Sequence, residues 1–191
     1  MISHVILGLF AVLLTSSAWN FFVRESRLKI NSEKTHFPTV SGSNLERQEF
    51  EFPGDFEGDY NLLFVPFKRW HQSIVDTWIP LAQELESNHP WLVYYELPTI
   101  DERPVLARTF INEGMRAGIP DQKSRQRTVT LYIDTDEFMK ATDIADRDDV
   151  YVLLVNRVGD IVWRTKGEFT KTKGDELHQV IDKLRAEQKE S

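Results

Sequence analysis

Apolar residues along this chain gather into short runs whose spacing changes character from one run to the next. Residues 61–67, Asn-Leu-Leu-Phe-Val-Pro-Phe, are almost wholly apolar, as expected of a strand buried on both faces of a sheet. The period then turns helical. Between Ser73 and Ser87, the residues Ile74, Trp78, Leu81 and Leu85 fall at spacings of four, three and four and mark one helix face. Trp91 to Leu97 reads as a second strand, rich in aromatic and branched residues. Pro104 suits the first turn of a following helix, whose apolar face carries Leu106, Phe110, Ile111 and Met115 and which Gly118 and Pro120 end. Thr128 to Ile133 is a third strand, Asp136 to about Ile144 a short helix, and Val150 to Val155 another apolar strand. Asn156-Arg157-Val158-Gly159-Asp160 turns that strand into Ile161 to Arg164, a hairpin in which Gly159 is free to take positive φ. Asp175 opens a last helix with Leu177, Val180, Ile181 and Leu184 on one face.

Upstream, Ser41-Gly42-Ser43 reads as a turn, Phe50 and Phe52 before Pro53 as a short edge strand, and Gly54 and Gly58 flank a second turn. The alternation of strands and helices predicts an α/β fold, a central sheet with helices on both faces. A closing antiparallel hairpin followed by a C-terminal helix narrows this to the thioredoxin-like order, with one additional strand and helix inserted before the hairpin. Flavodoxin-like folds do not need that hairpin.

The first residues read as a targeting segment. Val5 to Leu14 is apolar, and Ser16 and Ala18 stand at the small-residue positions of a signal-peptidase site, so 1–18 reads as a signal peptide. No Lys or Arg precedes the run, and apolar character resumes at Trp19, Phe21, Phe22 and Val23. The rival reading is therefore an uncleaved anchor reaching to about residue 23, with Arg24, Arg27 and Lys29 just beyond it. Residues 24–36 read as a linker and 37–191 as the domain. An exported protein, periplasmic or in the cell envelope, is expected from the first reading and a membrane-anchored one from the second.

Composition removes whole classes of chemistry. The 191 residues include no cysteine, which excludes disulfide exchange, thiolate peroxidase chemistry, iron–sulfur ligation and thiolate zinc sites. The formal net charge of −7 argues against a general nucleic-acid binder, which would present a basic face. The five histidines, His4, His36, His71, His89 and His178, form no pair at metal-ligand spacing on a helix, so no metal site is expected. Asp134, Asp136 and Glu137 resemble the start of a calcium loop but lack its central glycine and final Glu. They read as a helix N-terminus, and Asp143, Asp146, Asp148 and Asp149 as a solvated face. Glycine-rich nucleotide loops and the Gly-x-Ser-x-Gly elbow are absent, so no cofactor and no catalytic residue is assigned.

The best candidate site is Lys68-Arg69-Trp70-His71-Gln72. It follows a buried strand, at the strand end where open α/β sheets hold ligands, and an indole beside two cations suits a protein or peptide partner. Against this, Trp70 can simply cap the core, and His71 is expected to be an exposed loop residue. Met115 and Arg116, within Gly114 to Asp121, offer a second candidate partner contact, or only a helix end. Trp78 is expected in the core, and Trp91 and Trp163 in packing.

Phe37-Pro38, Gly42, Leu45 and Leu62 to Phe67 resemble the opening of exported thioredoxin-like proteins. That alignment puts Trp70 and Ser73 where the two redox cysteines would stand, and Asp148 and Asp149 where the superfamily has a proline before its late strand. Gln72-Ser73-Ile74-Val75-Asp76-Thr77-Trp78-Ile79-Pro80, Tyr95-Glu96-Leu97-Pro98, Gly114-Met115-Arg116, Val150 to Asn156 and Ile161 to Arg164 are similar to the mitochondrial ATP-synthase assembly-factor family and its bacterial relatives. That resemblance covers roughly Phe37 to Leu184 and implies a non-enzymatic assembly or chaperone role. The expectation is a redox-inactive protein that binds a protein or peptide client and assists assembly or folding of membrane or envelope proteins. The alternatives are an enzyme with a non-thiol site near His71 and the acidic loops, and a structural envelope protein.

Overall fold

A computed structural model describes residues 35–189. The expected targeting segment and most of the linker lie outside them. Two four-stranded mixed sheets organise the domain. The first has the order β4-β3-β7-β8, built from β3 (Tyr60–Val65), β4 (Leu92–Glu96), β7 (Tyr151–Asn156) and β8 (Ile161–Lys166). β3 runs parallel to β4 and antiparallel to β7, and β7 and β8 form the expected antiparallel hairpin, with Gly159 at φ +100°. The second sheet has the order β2-β1-β6-β5, from β1 (Val40–Asn44), β2 (Glu49–Phe52), β5 (Thr99–Asp101) and β6 (Val129–Ile133). A single bridge between Glu96 and Thr128, with the Leu131 amide donating to the Pro98 carbonyl at 2.9 Å, joins the two sheets.

Two helices cover one face of the first sheet. α1 (Gln72–Asn88) buries Val75, Trp78, Ala82 and Leu85, and the last helix, α5 (Lys171–Lys189), buries Leu177 and Ile181. The stripe on α1 is centred about one residue further along than the spacing predicts. Trp78 and Leu85 are fully buried as expected, whereas Ile74 and Leu81 are half-buried at its margin. Trp78 also donates from Nε1 to the Gly167 carbonyl at 2.9 Å, which ties α1 to the end of β8. α5 starts four residues before the expected Asp175. The other face of the first sheet packs on Phe50, Phe52, Val129 and Leu131 of the second sheet and on Phe138 of α4 (Thr135–Thr142). Asp134 caps α4 by accepting from the amides of Asp136 and Glu137, both at 3.0 Å, which is the helix-start role read for this acidic run.

One turn is misplaced by the sequence reading. Ser41-Gly42-Ser43 lies inside β1. Gly42 serves close approach: a Cβ there would stand 2.7 Å from the Thr130 carbonyl oxygen of β6. The turn comes at residues 45–48, where the Asn44 side chain accepts from the amides of Glu46 and Gln48, each at 2.9 Å.

Between β5 and β6 the chain inserts α2 (Val105–Gly118) and the short α3 (Gln122–Arg127). α2 buries none of its residues, and Val105, Leu106 and Phe110 are among the most exposed apolar side chains of the described residues. The apolar face expected there exists but is not packed into a core. Polar contacts hold the helix instead: Tyr132 donates to Asn112 Oδ1 at 2.8 Å, Arg47 pairs with Glu113, and Arg116 pairs with Glu46, both at 2.9 Å. α3 is anchored by its basic residues, Lys123 and Arg127 both reaching Glu86 on α1 at 2.5 and 3.0 Å. Among the described residues no helix is long and apolar enough to cross a membrane.

Candidate functional site

β3 and β4 are parallel, so both point their C-terminal ends at one region, and the loops that leave them diverge. β3 leads through Pro66 and Phe67 into a single tight turn, Arg69–His71, and then α1. β4 leads through Pro98 into β5 and the inserted helices. The divergence leaves a groove of about 1100 Å³ between the start of α1 and the inner side of α2. Such an opening at strand C-termini is where α/β sheets hold ligands, and its volume slightly exceeds the ~300–1,000 Å³ usual for small-ligand sites.

Four of the seven residues singled out in the sequence meet in this groove. Lys68, Arg69 and Gln72 line it from one side and Met115 from the other. The two candidate segments, more than forty positions apart, are thus opposite walls of one cleft. Trp70, His71 and Arg116 are not in its lining. Trp70 does not cap the core; it is 56% exposed, with the Lys68 ammonium 5.7 Å from its ring centre. Arg116 is engaged with Glu46, which also accepts from Arg125 at 2.5 Å. The Arg125 hydrogen bond, followed by the charges of both arginines, holds the Glu46 carboxyl below its ordinary range.

His71 is a correction. Expected as an exposed loop residue, it is fully buried. The tight turn folds the ring under the chain, where Nδ1 accepts from the Phe67 amide at 3.2 Å and the indole of Trp70 meets it edge-on at 4.2 Å. Nε2 has no hydrogen-bond partner of ordinary geometry. Burial, with the Lys68 charge second, pushes the imidazole pKa down, while Asp149 and the Asp148 carbonyl and carboxylate oppose that. The ring therefore favours its neutral form and works as an internal strut.

The positions aligned with redox cysteines are occupied by structural contacts. Ser73 donates from its hydroxyl to the Trp70 carbonyl at 3.0 Å, closing the first turn of α1. Lys68 pairs with Asp148 at 2.8 Å and so stitches this loop to the acidic loop that precedes β7.

The residue that most distinguishes the groove is Glu96, which sequence reasoning did not select as a site. It sits at the end of β4, is 4% exposed, and lines the groove. Its one hydrogen-bonding neighbour among the described side chains is Gln72, whose Nε2 donates to Glu96 Oε2 at 3.3 Å and to Asp76 Oδ1 at 3.0 Å. No ion pair reaches it among the described residues. Burial raises the Glu96 pKa to about 7, the Gln72 hydrogen bond lowering it and the Asp76 charge raising it further. The signal was present in the sequence, since Glu96 is the only charged residue in the Trp91 to Leu97 run. The walls around it are apolar, formed by Ile79 and Pro80 of α1, Pro98 and Ile100 after β4, and Phe110, Ile111 and Ile119 around α2.

No family model matches the chain, nor does any curated protein, so the likeness to ATP-synthase assembly factors rests on the residues quoted above. Solved structures do match. A thiol:disulfide interchange protein from a Bacteroides species superposes with a TM-score of 0.52 at 18% identity, over 80% of this chain and 89% of that one. BsSco, described as a member of the Sco family of cytochrome c oxidase assembly proteins, gives 0.53 at 12% identity, over 78% and 93%. Copper-bound yeast Sco1 gives 0.51 at 13% identity, over 79% and 95%. At these identities the likeness shows the fold alone: a thioredoxin-like α/β fold with mixed sheets that ends in a C-terminal helix. Without a cysteine, the chain performs no thiol redox chemistry on that fold.

Proposed function

We propose that this cysteine-free thioredoxin-like chain is a binding protein that holds a segment of a client protein in the groove between α1 and α2, assisting assembly or folding of membrane or envelope proteins. The carrying observation is the groove itself, an opening at the C-terminal ends of β3 and β4 in which Lys68, Arg69 and Gln72 face Met115 across a largely apolar cleft. Large apolar side chains left uncovered on the same helix, Leu106 and Phe110, extend that surface outward. The fold is compatible with such a task, since one structural neighbour is described as belonging to a family of oxidase assembly proteins. The resemblance to ATP-synthase assembly factors points the same way. The apolar run at the N-terminus supports export or membrane anchoring, which would bring the domain to such clients. An enzyme working through His71 finds no support in its position, because the ring is buried outside the groove lining.

Gly114 supplies the test. It lines the groove, and a Cβ built there meets nothing within 4 Å. Gly114→Trp should therefore fill the cleft while the protein folds normally, helped by the better helix propensity of tryptophan over glycine. Cells carrying this variant should reproduce the phenotype of deleting the protein, with wild-type abundance and melting temperature. Full function with the cleft filled would refute the proposal.

A further inference from the structure

The groove combines apolar walls with a pair of neighbouring carboxyls, one buried and one exposed. Glu96 and Asp76 bring two carboxyls to it, and the Gln72 amide lies between them, 3.3 and 3.0 Å from each. Pro80 has no N–H, so the Asp76 backbone carbonyl receives no helix hydrogen bond from position 80, and both residues line the cleft. A carboxylate as buried as Glu96 is costly unless a cation pairs with it, and this chain supplies none at hydrogen-bonding distance among the described residues.

Resting on the reading of the groove as the client site, we propose that it selects a client segment presenting a lysine, whose ammonium pairs with Glu96 and Asp76. The four-carbon stem of lysine matches the walls formed by Ile79, Pro98, Ile111 and Met115. The N–H groups of the ammonium suit the two carboxyls that already share the Gln72 amide. Glu96 ionises fully as the cation arrives, so binding releases a proton at neutral pH and strengthens as pH rises. The other charged groups around the cleft are Lys68, already paired with Asp148, Arg69 at the exposed rim, and Asp121 across from α1. Lys68 and Arg69 disfavour a second cation beside the first, so a single lysine flanked by apolar residues is the preferred pattern.

The test uses full-length protein and two capped peptides, acetyl-Ala-Leu-Lys-Leu-Ala-amide and its counterpart with norleucine in place of lysine, followed by calorimetry. At pH 8 the lysine peptide should bind at least about tenfold more tightly, the usual worth of a charge-assisted hydrogen bond. That ratio should shrink at pH 6, collapse in Glu96→Gln, and fall partway in Asp76→Asn. A fold-disrupting effect of either variant would weaken both peptides together and leave the ratio unchanged, so the ratio reports the pairing itself. Equal binding of the two peptides to wild-type protein would overturn the selection for lysine and leave the client groove standing. No binding of either peptide at millimolar concentration would overturn both. An unchanged ratio in Glu96→Gln, with the norleucine peptide bound as tightly as by the wild-type protein, would overturn the role of Glu96.

Discussion

Replacing Glu96 by Gln should make this protein more stable at pH 8 and change little at pH 4. The carboxyl is 4% exposed, and burial raises its pKa from 4.5 to about 7. At about 1.36 kcal/mol per pH unit, that rise corresponds to about 3 kcal/mol between the two protonation states. The sign follows from where the extra proton sits. Between pH 4.5 and about 7 the folded chain keeps a proton at Glu96 that the unfolded chain has lost, so stability present below pH 4.5 is lost as pH climbs through 7. Glutamine keeps the shape and can still meet Gln72, but it has no charge to bury. Urea unfolding of both proteins from pH 4 to pH 8 reads this directly, because the other titrating groups, including the buried and oppositely shifted His71, cancel in the difference. The gap should open from near zero to about 3 kcal/mol in favour of the variant. A gap that does not change with pH would show that Glu96 ionises as an ordinary surface carboxyl, and the description of the groove as holding a buried carboxyl would fail.

Other perturbations separate scaffold from site. Trp78→Ala should cost about 3–5 kcal/mol by chemical denaturation, since Trp78 is fully buried and its Nε1 holds the Gly167 carbonyl. Gly42→Ala should destabilise by about 1–3 kcal/mol, because its Cβ would stand 2.7 Å from both the Thr130 carbonyl oxygen and a Leu131 methyl; an unchanged denaturation midpoint would contradict the packing of β1 on β6. Trp70→Ala should cost about 0.5–1.5 kcal/mol, since the side chain is 56% exposed but its indole meets the buried His71 ring edge-on. Client capture is the readout for Trp70: a loss places the indole in the contact surface beside the groove, and no change confines the site to the cleft.

Much of the scaffold was legible because its elements obey strong periodicities. The run at 61–67 and the spacing of Trp78 and Leu85 read as a buried strand and a core-facing helix, and the structure has β3 at Tyr60–Val65 and α1 with both residues buried. Elements whose stability comes from distant partners were not legible. β5 has three residues, too few to show alternation, and exists because β6 pairs with it. α3 reads Gln-Lys-Ser-Arg-Gln-Arg, with no apolar period; it is held by the Asp121 cap on the Ser124 amide at 2.6 Å and by acids elsewhere in the chain. The face of α2 shows the limit most clearly. Leu106, Phe110, Ile111 and Met115 were correctly read as one apolar stripe, but periodicity defines a face and not what covers it. The site divides in the same way. Lys68, Arg69, Gln72 and Met115 were visible as candidates, yet only the tertiary structure brings them to one cleft. His71 was misjudged because a loop histidine gives no local sign that the turn will fold over it.

The central claim, that the cleft between α1 and α2 holds the client, is tested most directly by photo-crosslinking in intact cells. A photoreactive residue is placed either at Met115 inside the groove or at Ala141 of α4, which lines the separate cavity of about 860 Å³ bounded by β1, β6 and α2. The account predicts a discrete client adduct from position 115 that Gly114→Trp abolishes, and none from position 141. Adducts of equal yield from both positions, or an adduct at 115 that survives the filled groove, would contradict it.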